Sequence, residues 1–78
     1  MAVITNNGLW IKDVINSKTL MINAAKIDKN FLVDTYISEF DQNFQIVKNI
    51  KSKKIDISKN EWIIYNPEVY EQNYKTNK

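Results

Sequence analysis

Apolar and polar residues alternate with a period of two over the middle of this chain. Val33, Thr35 and Ile37 alternate with Asp34, Tyr36 and Ser38. Phe44, Ile46 and Lys48 then alternate with Gln45, Val47 and Asn49. Successive side chains of a strand point to opposite faces, so this spacing predicts strands. The reading gives strands over Leu9 to Lys12, Thr19 to Ile27, Phe31 to Phe40, Phe44 to Ile57 and Glu61 to Tyr65. In the second, Leu20, Ile22 and Ala24 share one face, and Met21, Asn23 and Ala25 the other.

The breaks between these runs have turn chemistry. Asn7-Gly8 opens the first strand, and Asp13 to Ser17 reads as a loop. Asp28-Lys29-Asn30 reads as a tight hairpin connection. Asp41-Gln42-Asn43 and Ser58-Lys59-Asn60 separate the later strands. Asn66-Pro67 ends or redirects the fifth, because proline cannot donate to a ladder. Val69-Tyr70 is a candidate for a further short strand. A rival reading places Val33, Ile37, Phe40, Phe44 and Val47 along one stripe of a helix. The flanking Ile, Val, Thr and aromatic residues favour strands instead. So does turn chemistry every roughly 8–12 residues, the all-β spacing. The expected fold is all-β: an antiparallel partial β-jellyroll or sandwich of about five to six strands. Residues 1–7 form a lead, 8–70 the β-fragment and 71–78 a polar tail.

Length makes a small core the main constraint. A chain of 78 residues is one domain at most. It buries only roughly 60–65% of the surface exposed when unfolded. Neither cysteine nor histidine is present, so no disulfide or zinc site supplements that core. We therefore expect a piece of a larger protein that leans on neighbours. No stretch approaches the roughly 18–20 apolar residues that span a bilayer, so the piece itself is expected to be soluble.

Chemistry is nearly absent from the sequence. The missing His and Cys remove the usual general base, thiol nucleophile and soft metal ligands. Asp34, Glu39, Asp41 and Asp56 fall at strand edges and turns, where solvated carboxylates are ordinary. One glycine cannot build a phosphate loop. The expectation is no enzyme, no cofactor and no metal. The net charge of +2 is small and its positive part is all lysine. Without arginine, bidentate reading of phosphates and bases is lost, and no nucleic-acid partner is expected. Tyr36 and Phe44 are the aromatics that an RNA-binding sheet would need to expose, but core packing is the more frequent role for such residues and is the expectation here. Lys48, Lys51, Lys53 and Lys54 read as a solvated strand edge or as a contact for an acidic partner or anionic lipid headgroup. What remains is apolar surface. Leu20, Ile22, Ala24, Val33, Ile37, Ile46, Ile50, Trp62 and Ile64 are the inward-facing candidates. In a closed sandwich they are core; in an open one they line a groove for acyl chains, each buried methylene contributing about 0.8 kcal/mol.

Five segments in order carry a family resemblance. They are Gly8-Leu9-Trp10-Ile11-Lys12, Met21-Ile22-Asn23-Ala24, Tyr36-Ile37-Ser38-Glu39-Phe40-Asp41, Ile50-Lys51-Ser52 and Glu61-Trp62-Ile63-Ile64-Tyr65-Asn66. Together they resemble the periplasmic region of the lipopolysaccharide-export permeases, the LptF/LptG (YjgP/YjgQ) family, leaning toward LptG. The resemblance runs from about Gly8 to Val69. It departs from the family pattern at Ser52, Ile55 and Ile64, where alanine, a small residue and leucine are usual. It implies the C-terminal part of a β-jellyroll in the periplasm of a Gram-negative bacterium. The parent would be an inner-membrane permease subunit of an ATP-driven transporter, its ATPase a separate cytoplasmic protein. The implied partners are lipopolysaccharide acyl chains, held along the candidate groove, and other jellyroll subunits of the export bridge, met through strand edges. A purely structural interaction domain with a closed core and a nucleic-acid-binding β-barrel are the other readings.

Overall fold

The computed structural model describes residues 2–71. Seven strands follow in chain order: β1 (Ala2–Thr5), β2 (Gly8–Ile15), β3 (Lys18–Asp28), β4 (Phe31–Phe40), β5 (Ile46–Asp56), β6 (Ile63–Tyr65) and β7 (Glu68–Glu71). All pair antiparallel in one sheet, in the order β1-β2-β3-β4-β5-β6, with β7 also on β5. The expected all-β, antiparallel, sandwich-like class is therefore correct. The helix over Val33 to Val47 does not form. The strand count exceeds the expected five to six because the lead holds β1, while the candidate strand at Val69-Tyr70 falls within β7. The expected polar tail lies, apart from Glu71, outside the described residues.

Local chemistry sets each turn. Asn16 and Ser17 both take positive φ (52° and 67°), the backbone that a two-residue hairpin requires. That tight turn lets Val14 and Ile15 pair with Thr19 and Lys18. Asp13 to Ile15 are therefore strand, where a loop was expected. Lys29 (φ 57°) turns β3 into β4, at the expected hairpin. The Asp41 carboxylate accepts from the N–H groups of Asn43 and Gln45 at 2.8 and 3.0 Å. Phe44, at φ 61°, completes this turn, so β5 begins at Ile46 and not at Phe44. At the end of β5, hydrogen bonds from the Ser58 hydroxyl and backbone N–H hold the Asp56 carboxyl below its ordinary pKa.

β6 and β7 behave as one interrupted edge strand. Lys54 faces Tyr65 and Lys51 faces Glu68 in a single register. Between them sit Asn66, at φ 47°, and Pro67, which has no N–H. Ser52 lies at this gap. Its hydroxyl accepts from Lys54 N–H at 3.2 Å and lies 2.7 Å from the Tyr65 carbonyl and 2.8 Å from the Lys54 carbonyl. A buried hydroxyl thus holds the edge where the ladder cannot.

The burial pattern changes phase in mid-sheet. On β4, Thr35 and Ile37 are buried, and so is Leu32, three residues before Thr35. On β5, Ser52 and Ile55 show the same spacing. Asp34 lies between and takes φ 52°. The ladder omits Asp34 on both sides, against Ala25 and against Lys53. One left-handed residue turns the following side chains to the other face without inserting a residue. Asp tolerates that conformation better than most non-glycine residues. The result is one continuous apolar inner face on both sides of the kink. Leu9, Ile22, Ala24, Leu32, Ile37 and Ile55 form its buried cluster, with Ile11, Leu20, Ile50, Ile57 and Ile64 packed against it.

Candidate functional site

Two surfaces stand out, one on each face. The first is a cross-strand row on the inner face. The registers place Ala2 beside Ile11, Ile11 beside Ile22, Ile22 beside Ile37, Ile37 beside Ile50, and Ile50 beside Val69. Every position across the sheet is apolar. With strands about 4.8 Å apart, the row extends roughly 24 Å from edge to edge. Its centre is covered, Ile22 and Ile37 being only 4% and 6% exposed. Its ends are open: Ala2 is exposed, Ile11 and Ile50 half-buried, and Val69 50% exposed. Among the described residues β1 does not pair with β6 or β7, so the sheet they form has two free edges.

The nine groove candidates divide on this face. Leu20, Ile22, Ala24, Ile37, Ile50 and Ile64 belong to the inner cluster or pack against it. Val33, Ile46 and Trp62 do not. Val33 stands between Lys26 and Lys54, beyond the phase change at Asp34. Ile46 follows a register shift at Glu39/Phe40 and is 39% exposed. Trp62 precedes β6 and is 40% exposed. Leu9, Ile11, Leu32, Ile55 and Ile57 take their place. The signal for Leu32 and Ile55 was an Asp inside a β-branched run, a residue that strands disfavour.

The second surface is on the outer face, where alternation places Trp10, Asn23, Tyr36, Lys51 and Glu68 in one row. Tyr36 and Phe44, for which core packing was the favoured role, are both exposed instead. A cleft of about 660 Å³ opens here, lined by residues on both sides of the kink, including Asp34, Tyr36, Lys51, Lys53 and Tyr65. None of the nine groove candidates lines it. Lys54 closes one end. Its ammonium sits 4.7 Å from the Phe31 ring centre and 5.1 Å from that of Tyr65, within cation–π reach. Near the other end, the Tyr70 hydroxyl donates to Glu68 at 3.1 Å, which raises the phenol's pKa. The lysines expected as a strand edge instead lie on or beside β5, which is covered by β6 and β7. Lys48 reaches Glu71 at 3.9 Å.

Neither surface brings together an acid–base pair on a buried reacting site. Among the described residues no group of three or more acidic side chains could hold a metal ion. The arrangement is suited to binding: an apolar row open at its ends, and a mixed-charge cleft behind it. No family model matches the sequence, and neither curated proteins nor solved structures provide a match.

Proposed function

We propose that this chain is part of the periplasmic β-jellyroll region of a lipopolysaccharide-export permease of the LptF/LptG type. In this reading it is a binding and conveying element and not an enzyme. Its parent is anchored in the inner membrane of a Gram-negative bacterium. The observation that carries the reading is the apolar row Ala2–Ile11–Ile22–Ile37–Ile50–Val69. The open ends of that row, at Ala2 and Ile11 and at Ile50 and Val69, offer an acyl chain apolar contact at both edges of the sheet. The ordered segments from Gly8 to Asn66 add the family resemblance. The free edges at β1 and at β6/β7 suit strand addition by neighbouring jellyrolls, which uses main-chain hydrogen bonds for affinity. Acyl chains would enter from these edges, since the centre of the row is covered.

That covered centre favours one second reading, a structural interaction domain whose inner face is closed core. Photo-crosslinking separates the two. A benzophenone side chain at Ile50 or Val69 of the full-length parent is expected to label lipopolysaccharide in cells. The same probe at Tyr36, on the opposite face, is expected to label far less. Equal labelling at all three positions, or none at Ile50 and Val69, would sink the transport reading.

A further inference from the structure

We infer that the outer face binds an extended β-1,4-linked glycan laid across the strands. Three exposed aromatic residues would carry it: Trp10 on β2, Tyr36 on β4 and Tyr70 on β7. Each stands two strands from the next, because β3 lies between the first pair and β5 between the second. With strands about 4.8 Å apart, the step from one aromatic to the next across the sheet is roughly 10 Å. Trp10 and Tyr36 share one register row through Asn23. Tyr70 belongs to the next row of the same face, opposite Asn49. The Tyr36 phenol is near enough to contribute to the raised pKa of Tyr70, after the larger effect of Glu68.

That step matches the length of two sugars in an extended β-1,4-linked chain. Successive sugars of such a chain are turned over, so every second one presents the same face. Alternate sugars can therefore rest on successive aromatic rings. Tyr and Trp join an apolar face to a polar tip. A sugar ring is built the same way, with C–H groups on its face and hydroxyls at its rim.

The side chains between the rings supply hydrogen bonds. The Asn23 Nδ2 group donates to the carbonyl oxygens of Asn7 and Leu9 at 3.4 and 3.3 Å, which leaves its Oδ1 to accept between Trp10 and Tyr36. The Ser38 hydroxyl donates to Asn49 Oδ1 at 3.0 Å, which leaves the Asn49 Nδ2 group to donate beside Tyr70. Charge then selects the class of polymer. Lys51 and Glu68 stand opposite one another, and no other charged residue lies in the row from Val3 to Glu68. The row is neutral as a whole. A nucleic acid would bring phosphates against Glu68, and a basic peptide would bring ammonium groups against Lys51. An uncharged glycan meets neither repulsion, and its hydroxyls can bond to both side chains. The inference is independent of acyl-chain transport, which is read on the opposite face, so either can fail alone.

The test is an NMR titration of the full chain, read at the indole N–H signals, with chitohexaose, cellohexaose and maltohexaose as separate probes. Chitohexaose or cellohexaose is expected to shift the Trp10 signal and leave that of Trp62, which lies outside these rows, in place. Maltohexaose, whose α-linkages coil the chain and break the two-sugar step, is expected to bind at least about tenfold more weakly. Tyr36→Ala is expected to weaken binding by about tenfold, whereas Tyr36→Phe, which keeps the ring, changes it by less than about twofold. Phe44→Ala, an exposed aromatic outside the rows, is expected to leave it unchanged. Maltohexaose binding as tightly as the extended chains, equal effects of Tyr36→Ala and Phe44→Ala, or no shift at Trp10 with any probe would overturn the inference. So would self-association that moves the Trp10 signal with rising protein concentration alone, which would assign the face to a second copy of the chain.

Discussion

Leu32→Ala is expected to destabilise the fold by about 3 kcal/mol, within the usual range of roughly 2–5 kcal/mol for such truncations. Leu32 has no exposed surface and stands between Ile27 and Ile55 on adjacent strands. Ile55 is equally enclosed, so the cavity left at Leu32 has little room to collapse from that side. The loss is large against the total. A chain of this length has roughly 4–12 kcal/mol of stability in all. With a urea dependence of about 1 kcal/mol per molar for a small protein, the unfolding midpoint should fall by about 3 M. The control lies in the same register row. Ile27 pairs with Leu32 but is 51% exposed, and Ile27→Ala should cost less than about 1 kcal/mol. Equal costs at the two positions would mean that the phase change at Asp34 does not place Leu32 in the core.

Gly8→Ala should produce the second large effect, through the backbone. Gly8 has φ 109°, well away from the left-handed helical region that Asn or Asp can share. A Cβ there would stand 2.3 Å from the Ala24 carbonyl oxygen. That oxygen cannot swing aside as a side chain can. Ala24 is fully buried, so moving it disturbs the cluster around Ile22 and Leu9. Strain and displacement together should remove more than about 2 kcal/mol. Denaturant unfolding of the variant measures this directly. Gly8→Asn should be no better tolerated, because its side chain offers no relief at this φ. A variant within about 0.5 kcal/mol of the parent protein would contradict the close approach of β2 to β3.

These two positions also mark what could and could not be read from the sequence. Leu9, Ile22, Ile37 and Ile50 were legible as strand residues because alternation is local and repeats with period two. The turns at Asp28-Lys29-Asn30 and at Asp41 were legible because their side chains or backbones favour the geometry by themselves. Leu32 and Ile55 were hidden. Alternation was carried through Asp34 unchanged, which put Val33 inside in their place. A single φ reverses that assignment, and the neighbouring strands help decide whether Asp34 adopts it. The same reasoning applies to Asp13 to Ile15. Their polar start suggested a loop, but the positive φ of Asn16 and Ser17 makes a hairpin tight enough to continue both strands. The outer cleft could not be seen at all, since it arises where two separate breaks, at Asp34 and at Asn66-Pro67, meet across β5.

The apolar row and the mixed-charge cleft give the sheet two faces with opposite chemistry. The row is the more exacting element, because its six positions come from six strands and depend on every register holding.

The most direct test of the account is isoleucine-methyl NMR of the chain titrated with a lauroyl glycolipid below its micelle concentration. The account expects saturable shifts at Ile11, Ile22, Ile37 and Ile50, the isoleucines of the row, with Ile63, which pairs with Asp56 on the other face, unmoved. Shifts confined to Ile63, or none at any concentration, would contradict an inner face that receives acyl chains.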